Sequence, residues 1–176
     1  MSANRSKPLV VFAHGKESGP WGSKIQHLAA IAESRGFAVQ SPDYSAMMDP
    51  LARRDHLLSL APSGAPLVLV GSSMGGYVSA MACATLKPDA LLLMAPALYL
   101  DGYPGDPEGC PADSVVVHGW GDDTVPLESS LRFARERRAA LHIVDDGHRL
   151  AESLELIGPI FNAQLTRALD HCPPGP

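Results

Sequence analysis

The sequence is poor in cysteine and has no excess of basic residues. It contains three cysteines, Cys83, Cys110 and Cys172, whose odd number and wide spacing argue against a disulfide framework and against a zinc or redox motif. Acidic residues outnumber basic ones by 19 to 14, which gives a net charge of −5. A nucleic-acid or anionic-membrane surface needs clustered lysine and arginine. We therefore expect neither nucleic acid nor a metal ion among the ligands.

Long hydrophobic runs are also missing. The longest apolar stretch, Ala90–Leu100, is too short to span a bilayer. The amino-terminal residues Met1–Pro8 are not followed by the hydrophobic region and cleavage site of a signal peptide. We therefore expect a cytoplasmic protein that binds no membrane. Neither an internal repeat nor a linker divides the 176 residues, so we expect a single domain over residues 1–176.

Short β-rich apolar runs alternate with helical patterns along the chain, which is typical of an α/β fold with a parallel sheet. Runs such as Leu67–Val70 are wholly apolar, as expected when helices cover both faces of a sheet. We predict a three-layer α/β/α sandwich whose mostly parallel sheet has about six strands. The predicted strands are Leu9–His14, Phe37–Pro42, Leu67–Ser72, Ala90–Ala95, Ser114–Gly119 and Ala140–Asp145.

Helical patterns fill the gaps between these strands. The segment Asp101–Asp113 is rich in glycine, proline and aspartate and predicts a surface loop instead. The last helical pattern contains Gly158 and Pro159, which should kink or split it. The predicted helices run from Ile25 to Gly36, from Pro50 to Leu60, from the residue after Ser73, from Pro126 and over residues 150–169.

A possible nucleophile lies in the pattern Gly71-Ser72-Ser73-Met74-Gly75, which follows a predicted buried strand and opens a helix. A sharp turn at this place lifts the Ser73 hydroxyl above the sheet edge, and the crowded turn requires small neighbours such as Gly71 and Gly75. The helix N-terminus directs the Met74 N–H at a developing oxyanion. Ser73 is the predicted nucleophile, and a chance match in a loop rich in glycine and serine is the alternative.

A serine hydroxyl is a weak nucleophile and needs a general base. His148 lies just past the last predicted strand, at the carboxyl edge of the sheet, where ligands bind in open α/β folds. Gly147 lets its loop turn toward the site. We therefore predict His148 as the base. The other histidines fall in helices, within a strand or near the chain's end: His27, His56, His142 and His171.

The base in turn needs a carboxylate that orients it. Asp122 and Asp123 follow the predicted strand Ser114–Gly119 and reach the same sheet edge. We expect one of them to face the site and the other to cap the helix that begins at Pro126. Asp145 and Asp146 are nearer to His148 in sequence but are poorly placed to reach its far ring nitrogen. Asp101, after an earlier strand, is a weaker alternative.

The loop after the first predicted strand supplies a second donor for the oxyanion. Gly15 allows a tight turn there, so the Lys16 N–H can point at the site beside the Met74 N–H. We expect the His14 side chain to hold this loop in place rather than to act as a second catalytic group.

These motifs resemble the α/β-hydrolase superfamily over nearly the whole chain. The order Ser…Asp…His is that of the superfamily. The segment His118-Gly119-x-x-Asp122-x-x-Val125-Pro126 looks like its acid-bearing loop, which favours Asp122 over Asp123. The resemblance implies a catalytic triad and an oxyanion hole without a metal or organic cofactor. The implied triad is Ser73, His148 and Asp122, with Lys16 and Met74 as the oxyanion donors.

The sequence departs from larger members of the superfamily in two ways. The chain enters directly into the predicted strand Leu9–His14, so we expect it to lack their first two strands. Too few residues separate Leu98 from Ser114 to form an inserted lid. The resemblance is therefore closest to small, lidless, esterase-like proteins with an open site.

We predict from this a serine hydrolase that cleaves a small or medium carboxylic ester or thioester through an acyl-enzyme. Amide or carbon–carbon bond hydrolysis by the same triad and a non-catalytic binding protein on a hydrolase fold are the alternatives. The exposed edge of a short sheet could support a homodimer. Candidate walls of the substrate pocket, each of which could equally pack the core, are Trp21, Tyr44, Met47, Met48, Tyr77, Leu98, Tyr99 and Trp120.

Overall fold

A parallel sheet lies at the centre of the computed structural model, which describes residues 7–171. The strands lie in the order β2-β1-β3-β4-β5-β6, and each neighbouring pair is parallel. All the predicted strands are present, although β2 is shorter than predicted, since only Ala38–Gln40 pair with β1. The strands are β1 (Leu9–Ala13), β2 (Ala38–Gln40), β3 (Leu67–Ser72), β4 (Ala90–Met94), β5 (Asp113–Gly119) and β6 (Ala140–Val144).

Helices cover both faces of the sheet, which confirms the three-layer prediction. Along β1, Val10 and Phe12 pack toward one face, whereas Leu9 and Val11 pack toward the other. Helices α1 and α5 cover the first face, and α2, α3 and α4 cover the second. Their bounds are α1 (Ser23–Ser34), α2 (Pro50–Leu60), α3 (Met74–Leu86), α4 (Leu127–Arg137) and α5 (Leu154–His171).

Two expectations about helix ends and breaks are wrong. Pro126 is the N-cap of α4 rather than its first residue, and no side chain caps that helix, so neither Asp122 nor Asp123 does so. Helix α5 runs without interruption past Pro159. A proline inside a helix costs about 3 kcal/mol, and burial of Ile157 and Phe161 from the same helix offsets that cost.

The topology places one crevice at the carboxyl edge of the sheet. From β1 the chain turns outward to β2 and then crosses back to β3 on the other side of β1. Loops that follow β1 and β3 therefore diverge, and ligands of open α/β sheets bind where the strand order reverses in this way. The Gly15–Lys16 turn lies in the loop after β1, and Ser73 directly follows β3.

The segment between β4 and β5 is a loop, as predicted. Residues 95–112 contain neither a helix nor a strand, so no lid is inserted there.

Within residues 7–171 no helix is long and apolar enough to cross a membrane. Cys83 and Cys110 are free thiols, and Cys172 lies outside the described residues.

Candidate active site

Ser73 occupies a sharp turn between β3 and α3. Its backbone has φ 55° and ψ −119°, a combination that a non-glycine residue adopts only under strain. Hydrogen bonds hold this conformation: the Ser73 N–H donates to Met94 O at 2.9 Å, and the Ser73 carbonyl accepts from the N–H groups of Gly76 and Ala97. The side chain therefore stands at the end of the strand, where the helix begins.

The glycines that flank Ser73 permit a very close approach of backbone segments. A Cβ atom on Gly75 would lie 1.9 Å from Ala13 O, and one on Gly71 would lie 2.3 Å from Gly75 O. Neither position has space for any side chain. The predicted requirement for small residues here thus has a physical cause, which is that α3 begins directly against the ends of β1 and β3.

The structure brings Ser73, His148 and Asp122 together. The Nε2 atom of His148 lies 3.0 Å from Ser73 Oγ, and its Nδ1 atom lies 2.7 Å from Asp122 Oδ2. An ionised carboxylate only accepts hydrogen bonds, so Nδ1 carries the ring proton and Nε2 is left to accept from the Ser73 hydroxyl. This is the geometry that a general base needs in order to activate a serine.

The Asp122 carboxylate is almost fully buried, with its side chain 1% exposed. Burial alone would raise its pKa, but hydrogen bonds outweigh that effect and the pKa lies below its usual value. The Oδ1 atom accepts from the N–H groups of Thr124 and Val125, at 2.9 and 2.8 Å. The Oδ2 atom accepts from His148. Asp122 therefore stays ionised, with one oxygen held by backbone and the other facing the imidazole.

His118, for which the sequence indicated no role of its own, donates to the same carboxylate. Its Nε2 atom lies 3.0 Å from Val125 O and 3.2 Å from Asp122 Oδ2, so this nitrogen carries the ring proton. Its Nδ1 atom, 2.7 Å from Ser130 Oγ, accepts from that hydroxyl. Burial lowers the pKa of His118, so the ring is a neutral donor. The spacing from His118 to Asp122 was visible in the sequence, but the contact was not.

The loops that carry Asp122 and His148 lie directly against each other. A Cβ on Gly119 would be 2.3 Å from Asp146 O, and the Gly121 N–H donates to that carbonyl at 2.9 Å. The Asp146 carboxylate accepts from the Gly147 N–H and from the Ser153 hydroxyl. Asp146 thus supports the histidine loop.

Lys24, at the start of α1, joins that helix to the histidine loop, which leads into α5 on the same face of the sheet. Its Nζ atom donates to Arg149 O at 2.7 Å. Burial lowers the pKa of Lys24 to about 8, against the opposing effect of the carboxylates of Asp146 and Asp122. This contact joins residues that are 125 positions apart, and no pattern in the sequence indicated it.

The turn after β1 lies beside Ser73. A Cβ on Gly15 would be 3.6 Å from Ser73 Cβ. The ring of His14 is buried and holds the turn, since its Nδ1 atom lies 2.8 Å from Gly15 O and its Nε2 atom accepts from the Tyr44 N–H at 2.9 Å. The N–H groups of Lys16 and Met74 donate to no other residue among 7–171, so both are free to bind an oxyanion.

The other carboxylates and imidazoles considered from the sequence stand apart from this cluster. Asp123 and Asp101 are exposed, and within residues 7–171 the Asp123 carboxylate accepts a hydrogen bond only from the Thr124 hydroxyl. Asp146 binds backbone and hydroxyl groups of its own loop. None of the remaining histidines is hydrogen-bonded to Ser73, Asp122 or His148 within the described part of the chain: His14, His27, His56, His142 and His171.

The residues predicted to line a substrate pocket differ in burial and fall into three groups. Three are buried and pack in the core on the α2–α4 side of the sheet: Tyr44, Tyr77 and Leu98. Met47 and Tyr99 are partly buried against the same cluster. Large parts of three others are exposed: Trp21 by 46%, Met48 by 57% and Trp120 by 66%. Their part in substrate binding stays a prediction.

Two surface cavities lie away from the cluster around Ser73. Cavities of about 420 and 280 Å³ include none of the residues predicted to line the substrate pocket, and Ser73 borders neither. The larger cavity is at the opposite, amino-terminal edge of the sheet, where Asp89 and Asp113 precede or begin strands. At the carboxyl edge of the sheet Ser73 is partly exposed, and the His148 side chain is 20% exposed.

Known proteins are similar to this chain in both sequence and fold. Residues 9–103 match the uncharacterised protein family UPF0227. A crystal structure of a Xanthomonas campestris pv. campestris protein, described as a hydrolase of the α/β superfamily, is 31% identical with a TM-score of 0.83, and the alignment covers 92% of this chain and 99% of that one. No curated protein matches this chain.

Two more distant structures have the same fold. Est1E from Butyrivibrio proteoclasticus, solved with bound ferulic acid, is 19% identical with a TM-score of 0.75 over 95% of this chain and 92% of that one. A lidless α/β serine hydrolase from Xanthomonas campestris is 22% identical with a TM-score of 0.68 over 100% of this chain and 88% of that one. The chain belongs to UPF0227 and is a small, lidless member of the α/β-hydrolase superfamily.

Proposed function

We propose that this hydrolase cleaves a small or medium carboxylic ester, or a thioester, with Ser73 as nucleophile, His148 as general base and Asp122 as the orienting acid. The observation that carries the proposal is the continuous contact from Ser73 Oγ through the imidazole to Asp122 Oδ2, at 3.0 and 2.7 Å. A serine held in a strained turn, with a base and a buried carboxylate in line, has no evident use in packing alone.

In the proposed first step, Ser73 Oγ attacks the carbonyl carbon while His148 Nε2 accepts the hydroxyl proton. The positive charge that forms on the imidazole is stabilised by Asp122, which stays ionised because backbone N–H groups hold its other oxygen. The carbonyl oxygen becomes an oxyanion and accepts hydrogen bonds from the N–H groups of Lys16 and Met74.

The second half of the reaction uses the same groups in reverse. His148 donates its proton to the leaving alcohol or thiol, and an acyl group remains on Ser73. Water enters through the open edge of the sheet, and His148 takes its proton as the water oxygen attacks the acyl carbon. The bond between that carbon and Ser73 Oγ then breaks, His148 returns the proton to Ser73 Oγ, and the acid leaves. The partly exposed His148 side chain supports water access to this step.

The acyl group is proposed to be small or medium because three apolar side chains, those of Trp21, Met48 and Trp120, stand exposed on loops of the carboxyl edge and no lid covers them. Such groups can contact an acyl chain or an aromatic acid without enclosing it. The ferulic acid bound to Est1E makes an aromatic acid a sensible member of a test panel, although that relative is similar in fold only.

A substrate panel tests the proposal. It consists of p-nitrophenyl acetate, butyrate and octanoate, methyl ferulate and short acyl-CoA thioesters. We expect turnover of at least one ester or thioester, with Ser73→Ala slower by roughly 10³-fold or more at unchanged near-UV circular dichroism. A folded wild type that hydrolyses none of them, or a Ser73→Ala variant of similar rate, would overturn the proposal.

A further inference from the structure

Arg53, on α2, is fully buried although it has no carboxylate partner within residues 7–171. Its neighbour Arg54 is partly exposed and pairs with Asp55 in the ordinary way. Burying a charge is costly unless hydrogen bonds compensate it. The groups that accept hydrogen bonds from the Arg53 guanidinium therefore compensate the cost of burying its charge.

Those groups are backbone carbonyls, and two of them belong to the turn beside Ser73. Arg53 Nε donates to Met47 O at 2.7 Å, and Nη1 donates to His14 O at 3.0 Å and to Gly15 O at 3.1 Å. Gly15 O also accepts from the ring of His14. The guanidinium thus binds the turn after β1 from the interior of the protein, on the side covered by α2.

The hydrogen bonds to Gly15 O fix the direction of the Lys16 N–H, which belongs to the same peptide group. The peptide between Gly15 and Lys16 is trans, and in a trans peptide the C=O and N–H bonds point in opposite directions. Since Arg53 and His14 draw the carbonyl toward the interior, the Lys16 N–H points away from it. This is the N–H that the proposed mechanism aims at the oxyanion, and Gly15 lies directly beside Ser73.

The positive charge strengthens the same donor. A hydrogen bond from a guanidinium polarises the carbonyl that accepts it, and linked hydrogen bonds polarise one another inside a protein. The Lys16 N–H is then a stronger donor than that of an ordinary peptide. His14 contributes position but no charge, because burial lowers its pKa.

We propose that Arg53 is a positioning residue of the oxyanion hole, which orients and polarises the Gly15–Lys16 peptide from behind without touching the substrate. The inference rests on the proposed function. It goes beyond that function because it assigns the reaction a residue that neither the triad nor the motifs contain.

The test compares Arg53→Met and Arg53→Lys with Arg54→Met, a matched loss of arginine from the same helix. Each variant is assayed with the best p-nitrophenyl ester, with rates normalised by active-site titration so that only folded, competent enzyme counts. A trifluoromethyl ketone, which forms a tetrahedral oxyanion adduct on serine, measures the oxyanion hole separately.

Loss of one oxyanion donor costs about 10²–10³-fold in kcat, so a misdirected donor should cost about 10–100-fold in Arg53→Met. We expect KM to change by less than about threefold, since the donor acts in the transition state. The inhibition constant of the ketone should rise in parallel with the fall in kcat. Arg53→Lys keeps the positive charge but lacks the planar guanidinium, so its kcat should lie between those of Arg53→Met and wild type. The kcat of Arg54→Met should match that of wild type.

A purely structural role for Arg53 predicts fewer titratable sites with unchanged kcat per site and unchanged ketone affinity, and that result overturns the inference. If Arg53→Met fails to fold, the same comparison is made with Arg53→Lys. The proposed function fails separately: a wild type without ester turnover or ketone binding overturns it, and the inference falls with it.

Discussion

Asp122 Oδ2 lies 2.7 Å from His148 Nδ1 across 26 residues of sequence, while the adjacent carboxylate of Asp123 is exposed. The difference arises from the turn after β5. The N–H groups of Thr124 and Val125 fold back onto Asp122 Oδ1 and leave its other oxygen facing the histidine loop. Two neighbouring aspartates of identical chemistry thus have entirely different surroundings.

We predict that Asp122→Asn lowers kcat by about 10⁴-fold, as expected for loss of the acid of a triad, whereas Asp123→Asn changes it by less than about twofold. In Asp122→Asn the amide oxygen keeps the backbone N–H groups, so the amide nitrogen faces His148. That nitrogen donates to His148 Nδ1, so the ring proton moves to Nε2. A protonated Nε2 cannot accept the proton of the Ser73 hydroxyl. Steady-state kinetics on one ester measure both variants, and the reverse ranking would contradict the assignment of Asp122.

The turn at Ser73 should tolerate no side chain at Gly75. A methyl there would meet the Ala13 carbonyl oxygen at 1.9 Å, and backbone of a central strand cannot move away at low cost. We predict that Gly75→Ala lowers the free energy of unfolding by about 3 kcal/mol. Gly19→Ala is the control, because no atom lies within 4 Å of a Cβ at that position, and its change should stay within about 0.5 kcal/mol. Equal stability of the two variants in urea unfolding would contradict the close approach.

Lys24 should make stability depend on pH in the alkaline range. Its pKa is about 8 in the folded chain, below its ordinary value of 10.5. Between these values the unfolded chain binds more protons than the folded chain, so the contribution of Lys24 to stability rises with pH. Below about pH 8 the lysine is charged in both states and its burial cost is fully present.

Lys24→Met has no such titration and is the matched comparison. The free energy of unfolding of wild type minus that of Lys24→Met should therefore become more favourable to wild type between pH 8 and 10.5. Denaturant unfolding at several pH values in this window measures the difference. A constant difference, or a change in the opposite direction, would show that Lys24 is not held at a lowered pKa.

The fold was predictable because burial on both faces of the sheet leaves apolar runs that only a central parallel strand explains. Runs such as those in β3 and β4 belong to this class. Prediction failed where tertiary packing decided the outcome. Pro159 breaks a helix by local rules, yet α5 continues because its buried stripe packs across the sheet.

The approach of Ser73, Asp122 and His148 was predictable for a different reason, since each follows a strand and parallel strands end at one edge. Their supporting contacts were not predictable. An arginine side chain on a helix is ordinarily solvated, and Arg53 is buried because its guanidinium contacts the turn after β1 and the ring of Tyr44. The contact of Lys24 with Arg149 likewise depends on α1 and α5, which are far apart in sequence, packing beside each other on one face of the sheet.

The central claim is that Ser73 is an activated nucleophile, and covalent labelling with a fluorophosphonate tests it most directly. The folded wild type and Ser73→Ala are treated with the reagent, and intact mass and peptide mapping locate the adduct. We predict one adduct per chain, on the peptide that contains Ser73, and none in Ser73→Ala. An unlabelled wild type, or labelling that persists in Ser73→Ala, would contradict the account.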